Sequence, residues 1–96
     1  MRRSKLEMYV DVLNVLAQRG PLKISHIMYK ANLNCDVLKE CLGFLIKQGL
    51  IEQRKVGKRN VVYANTARGT QVTKFFRELD KALPLKEEDK IFPIPY

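Results

Sequence analysis

The sequence predicts an α+β fold, mostly α: a winged helix-turn-helix with a two- or three-stranded β-wing and a C-terminal dimerisation helix. Three observations predict it. The stretch Ile24-Ser-His-Ile-Met-Tyr-Lys-Ala-Asn-Leu-Asn34 reads as a short helix and a turn, and a longer helix follows to Gln48. Gly49-Leu50-Ile51 then leads into a strand, the turn Val56-Gly57-Lys58-Arg59-Asn60 and a second strand, Val61-Val62-Tyr63. An apolar stripe runs along a last helix before Pro84. A short helix, a tight turn, a longer helix and a two-stranded ribbon together offer a helix to a DNA groove. The chain divides into a winged-helix unit over residues 1–66, a dimerisation helix over 67–84 and a Pro-containing tail over 85–96.

Each element follows from local signals. Ser4 caps the first helix, with Glu7 three residues on, the spacing of a capping box. Leu6, Val10, Leu13 and Ala17 recur at helical period, and Tyr9, Val12 and Leu16 widen the stripe. Arg19-Gly20-Pro21 is a stop signal. Leu22-Lys23-Ile24 is extended and a candidate first strand of the wing sheet. Ile24 or Ser25 opens the second helix, which runs to Ala31 or Asn32 with Ile27 and Met28 facing the core. Leu33 plugs the turn, and Asn34 caps the third helix.

In that third helix Val37, Leu38, Cys41, Leu42, Leu45 and Ile46 form one apolar stripe. Asp36, Lys39, Glu40, Gly43 and Lys47 fall on the opposite face. Gly49 is the expected C-terminal glycine. The wing strands are Leu50–Lys55 and Asn60–Ala64, and Gly57 supplies the positive φ of their tight turn. Thr66 caps the last helix, Ala67 to Leu83. Its stripe of Val72, Phe75, Phe76, Leu79 and Leu83 would stay exposed on so small a domain unless a second copy covered it. A two-fold homodimer is therefore expected, with these five residues as its interface. Beyond Pro84 a charged linker leads to Ile91-Phe-Pro-Ile-Pro-Tyr96, whose prolines disfavour helix and central strand.

Charge names the partner. Over 96 residues there are 18 Lys/Arg and 10 Asp/Glu, a net charge of +8. Through Arg77 the balance is 15 basic to 5 acidic, net +10, and from Glu78 on it is 3 to 5, net −2. A basic body with a mildly acidic tail fits a polyanion partner for the body. No apolar run is long enough to span a membrane. Glu7 and Asp11 interrupt the apolar stretch behind the basic N-terminus, against a signal peptide. A cytoplasmic chain with no membrane contact is expected.

Cys35 and Cys41 lie six apart on one helix, about 120° around its axis, so they do not pair while that helix is intact. Cys41 falls on the apolar face, whereas Cys35 at the helix start is expected to be exposed. With His26 the one histidine, the composition argues against a zinc set. There is no recognisable nucleophile–base constellation and no glycine-rich phosphate loop. Neither an enzyme nor a cofactor or metal is expected.

The candidate DNA-binding residues form four groups. On the third helix, Asn34, Cys35, Asp36, Lys39 and Glu40 would face base edges or phosphates in the major groove, with Gly43 allowing close approach. Lys39 is a donor for guanine or phosphate. Asp36 and Glu40 either accept from cytosine amino groups or merely solvate the helix face. On the wing, Arg54, Lys55, Lys58 and Arg59 place four cations within six residues, suited to the backbone or a minor groove. Arg2, Arg3 and Lys5 form a basic cluster before the first helix, and Lys30 flanks the second. The aromatics Tyr9, Tyr29, Phe44 and Tyr63 make no stacking platform in sequence, against a single-strand binder.

Over about residues 4–80 the chain resembles the small archaeal winged-helix DNA-binding proteins whose C-terminal helix forms a dimeric coiled coil. The resemblance rests on Ser4-Lys5-Leu6-Glu7, on Ile27-Met28-Tyr29-Lys30-Ala31-Asn32-Leu33-Asn34, on Leu38, Leu42 and Leu45, on Gly49-Leu50-Ile51, and on Tyr63, Thr66 and Gly69. It implies a cytoplasmic, dimeric, double-stranded DNA binder, either a regulator or a chromatin-like architectural protein. Two departures stand out. Family members often carry two basic residues where this chain has Lys39-Glu40, and the last helix is short. The acids on the reading helix favour a transcriptional regulator, because non-specific coating of DNA favours an all-basic face. They also leave open a winged helix used as a protein–protein interaction module.

Overall fold

The computed structural model describes residues 4–83. Its first helix, α1 (Lys5–Arg19), opens on a complete capping box. The Glu7 amide donates to Ser4 Oγ at 3.0 Å, and the Ser4 amide donates to Glu7 Oε1 at 3.0 Å. α2 (Ile24–Ala31) follows a short connection and ends at Asn32, which takes a left-handed conformation with φ 56°. Asn tolerates that region better than most residues. The reversal lets the Leu33 amide reach the Met28 carbonyl at 3.1 Å and points Leu33 back onto the core. α3 (Cys35–Lys47) then starts on Asn34, whose Oδ1 accepts from the Val37 amide at 2.9 Å. Its C-terminal end closes through the Leu50 amide, which donates to the Leu45 carbonyl at 2.9 Å.

Strands β1 (Ile51–Val56) and β2 (Asn60–Asn65) pair antiparallel, from Ile51 opposite Asn65 to Val56 opposite Asn60. Gly57 at φ 73° makes the turn between them. Among the described residues the sheet has two strands, the smaller of the two numbers expected. Of Leu22-Lys23-Ile24 only Leu22 pairs, exchanging two backbone bonds with Tyr63 at 3.0 and 2.8 Å. The reason is local. The Lys23 carbonyl already accepts from the His26 and Ile27 amides, so the helix claims the backbone one residue after the bridge.

The core lies where the three helices meet the base of the wing. Val12, Leu13 and Leu16 of α1 pack on Ile27 and Ala31 of α2, on Leu38, Cys41, Leu42 and Leu45 of α3, and on Ile51. Each Val, Leu or Ile among them contributes roughly 1.5–3 kcal/mol when fully buried. Ile46, expected in this stripe, is exposed at the edge of α3.

α4 (Ala67–Ala82) packs back on α1 and β2. Thr66 fixes its start in two ways. The Thr66 hydroxyl accepts from the Gly69 amide at 3.1 Å and donates to the Gly49 carbonyl at 2.7 Å. The Thr66 amide donates to the Leu50 carbonyl at 3.0 Å. Gly69 lies so close to that carbonyl that a Cβ there would sit 2.0 Å from the Leu50 oxygen. Asn65 adds a further tie, its Nδ2 donating to the Leu13 carbonyl at 3.1 Å. The Gly49-Leu50, Thr66 and Gly69 of the family resemblance are thus the parts of one joint. Val72, assigned from sequence to a dimer face, packs against the domain's own core.

Candidate nucleic-acid interface

α3 turns its apolar stripe inward and so leaves Asp36, Lys39, Glu40, Gly43 and Lys47 in solvent. Asn34 sits at the start of the same face, with its Oδ1 occupied by the helix cap and its Nδ2 left to donate. Cys35, expected to be exposed, is half-buried, between exposed Asn34 and Asp36. Cys41 is buried. The exposed face therefore mixes one cap amide, two lysines and two carboxylates. Among the described residues nothing outside the helix lies within 4 Å of where a Cβ on Gly43 would sit, so the middle of the helix presents bare backbone.

The pairing register decides how the wing cations are shared between its faces. Directly paired residues point to the same side of a ladder. Gln53, Lys55, Val61 and Tyr63 therefore lie on the core-facing side that carries Ile51, and Glu52, Arg54, Val62 and Ala64 lie on the other. Arg54 is thus separated from Lys55. It is also held by an acid that the spacing in sequence did not count. Its Nε donates to Glu52 Oε2 at 2.6 Å. The exposed cations left at the tip are Lys58 and Arg59, in the turn itself, with Lys55 just below. Arg2 and Arg3 lie outside the described residues, and Lys5 is exposed at the start of α1.

Two aromatic features escape any reading of the sequence. Tyr9 of α1 and Phe44 of α3 stack at 4.6 Å between centroids with planes 14° apart, although nothing in their spacing along the chain joins them. Burial, and after it Cys41 and Glu40, pushes the Tyr9 phenol above its ordinary pKa. Tyr29 stands 81% exposed on α2, with Lys30 Nζ 5.6 Å from its ring centroid. On α4, Phe75 and Leu83 are exposed, and Phe76 meets Phe75 edge-on at 5.9 Å.

Among the described residues, no group of three or more His, Cys, Asp and Glu could hold a metal ion. No helix among them is long and apolar enough to cross a membrane. A family model described as winged helix-turn-helix matches residues 2–83. The chain belongs to the winged helix-turn-helix family. None of the curated proteins matches it.

Solved structures share the winged-helix fold at low identity. A MarR-family transcriptional regulator from Silicibacter pomeroyi is 20% identical, with a TM-score of 0.74 over 95% of this chain and 61% of that one. ZitR of Lactococcus lactis is 19% identical, with a TM-score of 0.72 over 88% of this chain and 72% of that one. The PcaV transcriptional regulator of Streptomyces coelicolor is 20% identical, with a TM-score of 0.66 over 84% and 63%. This winged helix spans less than two thirds of the length of the first and third.

Proposed function

We propose that this chain is a cytoplasmic, double-stranded DNA-binding protein, a dimeric transcriptional regulator. In this reading α3 enters the major groove, and the wing tip contacts the backbone or the adjacent minor groove. The observation that carries it is the placement of Lys58 and Arg59. Both are exposed in the hairpin turn, with no carboxylate partner among the described residues, on a chain of net positive charge. The regulator neighbours support the same reading. It assigns binding and no reaction.

The roles divide by chemistry. Lys58, Arg59 and Lys55 neutralise phosphates and contribute affinity in any sequence. Lys39 and the Asn34 amide group donate to base edges or phosphates at the start of α3. Asp36 and Glu40 repel phosphates and lower non-specific affinity, and they accept from cytosine amino groups where the site offers them. That balance favours a regulator over an architectural protein that coats DNA.

Asp36 and Glu40 also favour a second reading, a protein-interaction module whose α3 meets a basic partner. Substitution separates the readings. D36N with E40Q should strengthen binding to a random duplex, because two charges facing phosphate are removed. Weaker capture of a protein partner, with unchanged duplex affinity, would support the module instead.

A further inference from the structure

The outer face of α2 joins an aromatic ring to cations. Tyr29 is the most exposed of the large hydrophobic and aromatic side chains among the described residues. Ile27 and Ala31, two positions before and after it, are buried. Two positions are about 200° of helical rotation, so Tyr29 points away from the core. Lys23 at the N-cap, His26 and Lys30 are exposed on the same helix. The chain carries no Asp or Glu from Val12 to Cys35, so this face has no acid of its own. Lys30 Nζ lies 5.6 Å from the centroid of the Tyr29 ring, within the range of a cation–π contact, about 6 Å. The contact gathers a phenol hydroxyl and an ammonium at one place.

Core packing does not explain a ring that points into water. Two nucleic-acid chemistries suit it: a base stacked on the ring, or a phosphate taken by the hydroxyl and the ammonium. Stacking needs free ring faces and a series of aromatics. Lys30 stands over one face of Tyr29, and α2 carries no second aromatic. A phosphate uses what the pair offers, since Tyr and Lys both donate to the DNA backbone. The place in the fold agrees. Tyr29 and Lys30 lie in the last turn of α2, and only Asn32-Leu33-Asn34 separate that helix from α3. The Leu33 amide, donating to the Met28 carbonyl, ties this turn. The pair therefore stays close to the N-terminal end of α3, the end offered to the groove.

We infer that Tyr29 and Lys30 form a phosphate clamp on α2. The Tyr29 hydroxyl donates to a backbone phosphate oxygen of duplex DNA, and the Lys30 ammonium, held over the ring, pairs with the same phosphate. The clamp carries no sequence information of its own and fixes the register of α3 on the duplex. It rests on the DNA-binding reading of α3 and the wing.

The test compares the full chain with Y29F, Y29A and K30A by the anisotropy of a labelled duplex over a series of salt concentrations. Y29F removes a neutral donor and keeps the ring. It should weaken binding about tenfold at every salt concentration and leave the slope of log affinity against log salt unchanged. K30A should reduce that slope by about one, because it removes a charge. The thermal midpoint of Y29F should stay at the wild-type value, since the side chain stands outside the core. Y29F binding like the wild type would overturn the clamp. A loss seen in Y29A alone would assign the effect to the ring and overturn it equally. So would a K30A slope equal to that of the wild type, or a Y29F midpoint that falls in step with its binding. A wild type that binds no duplex would sink the DNA reading and the clamp together, whereas a binding wild type beside an unaffected Y29F sinks the clamp alone.

Discussion

Gly69 shows how one residue sets the placement of an element. The start of α4 approaches the Leu50 carbonyl so closely that any Cβ would overlap it, and that oxygen already accepts from Thr66. G69A must push α4 away from β1 or break this joint. Overpacking of this kind costs about 1–3 kcal/mol, occasionally more. The denaturation midpoint of G69A should fall accordingly, and an unchanged midpoint would mean that α4 yields without loss. Tyr9 gives a second prediction at this scale. Its phenol is held above 10.0 by burial first, then by Cys41 and Glu40. The folded state keeps the proton longer than the unfolded chain does. The associated stability is complete below about pH 10 and is lost as pH rises through the folded value. Y9F should flatten that alkaline decline in unfolding experiments while leaving the neutral-pH slope unchanged.

Among the elements, the wing carries the sharpest expectation. Lys58 and Arg59 occupy the turn of the hairpin, whereas Arg54 is turned to the other face and bound to Glu52. Replacing both Lys58 and Arg59 with alanine should weaken duplex binding in any sequence. It should also reduce the slope of log affinity against log salt by about one for each phosphate no longer neutralised. R54A should change that slope little. Equal effects from all three would mean that the two faces of the wing act together. The hairpin itself was legible from Gly57 and from the valines and Tyr63 of its second strand. The division of its cations was not, because it depends on which residues pair, and a shift of one position would exchange the two faces. The caps at Ser4, Asn34 and Thr66 were legible for a different reason: each acts within three residues of its own position. The third strand failed on a competition that the letters do not display, since the Lys23 carbonyl serves the helix and not the sheet.

At the scale of the whole molecule, part of α4 is uncovered among the described residues. Phe75 is 59% exposed and Leu83 47%, beside half-buried Phe76 and Leu79. The proposed dimer would cover this apolar area with a second copy. Sedimentation equilibrium should show a dimer that F75E converts to monomer with its helical content intact, and a monomeric wild type would contradict the proposed assembly. Here the sequence was only half readable. Helical period grouped the five apolar residues of α4 on one side, but it could not say that α1 and the core would take Val72. The apolar segment Ile91–Tyr96 lies outside the described residues. Everything proposed for the wing and α3 rests on their binding duplex DNA through phosphate contacts. The most direct measurement is the anisotropy of a labelled duplex titrated with the full chain across a series of salt concentrations. Binding at low salt should weaken linearly on a log–log plot, with a slope set by several phosphate contacts. No binding at low salt, or binding indifferent to salt, would contradict it.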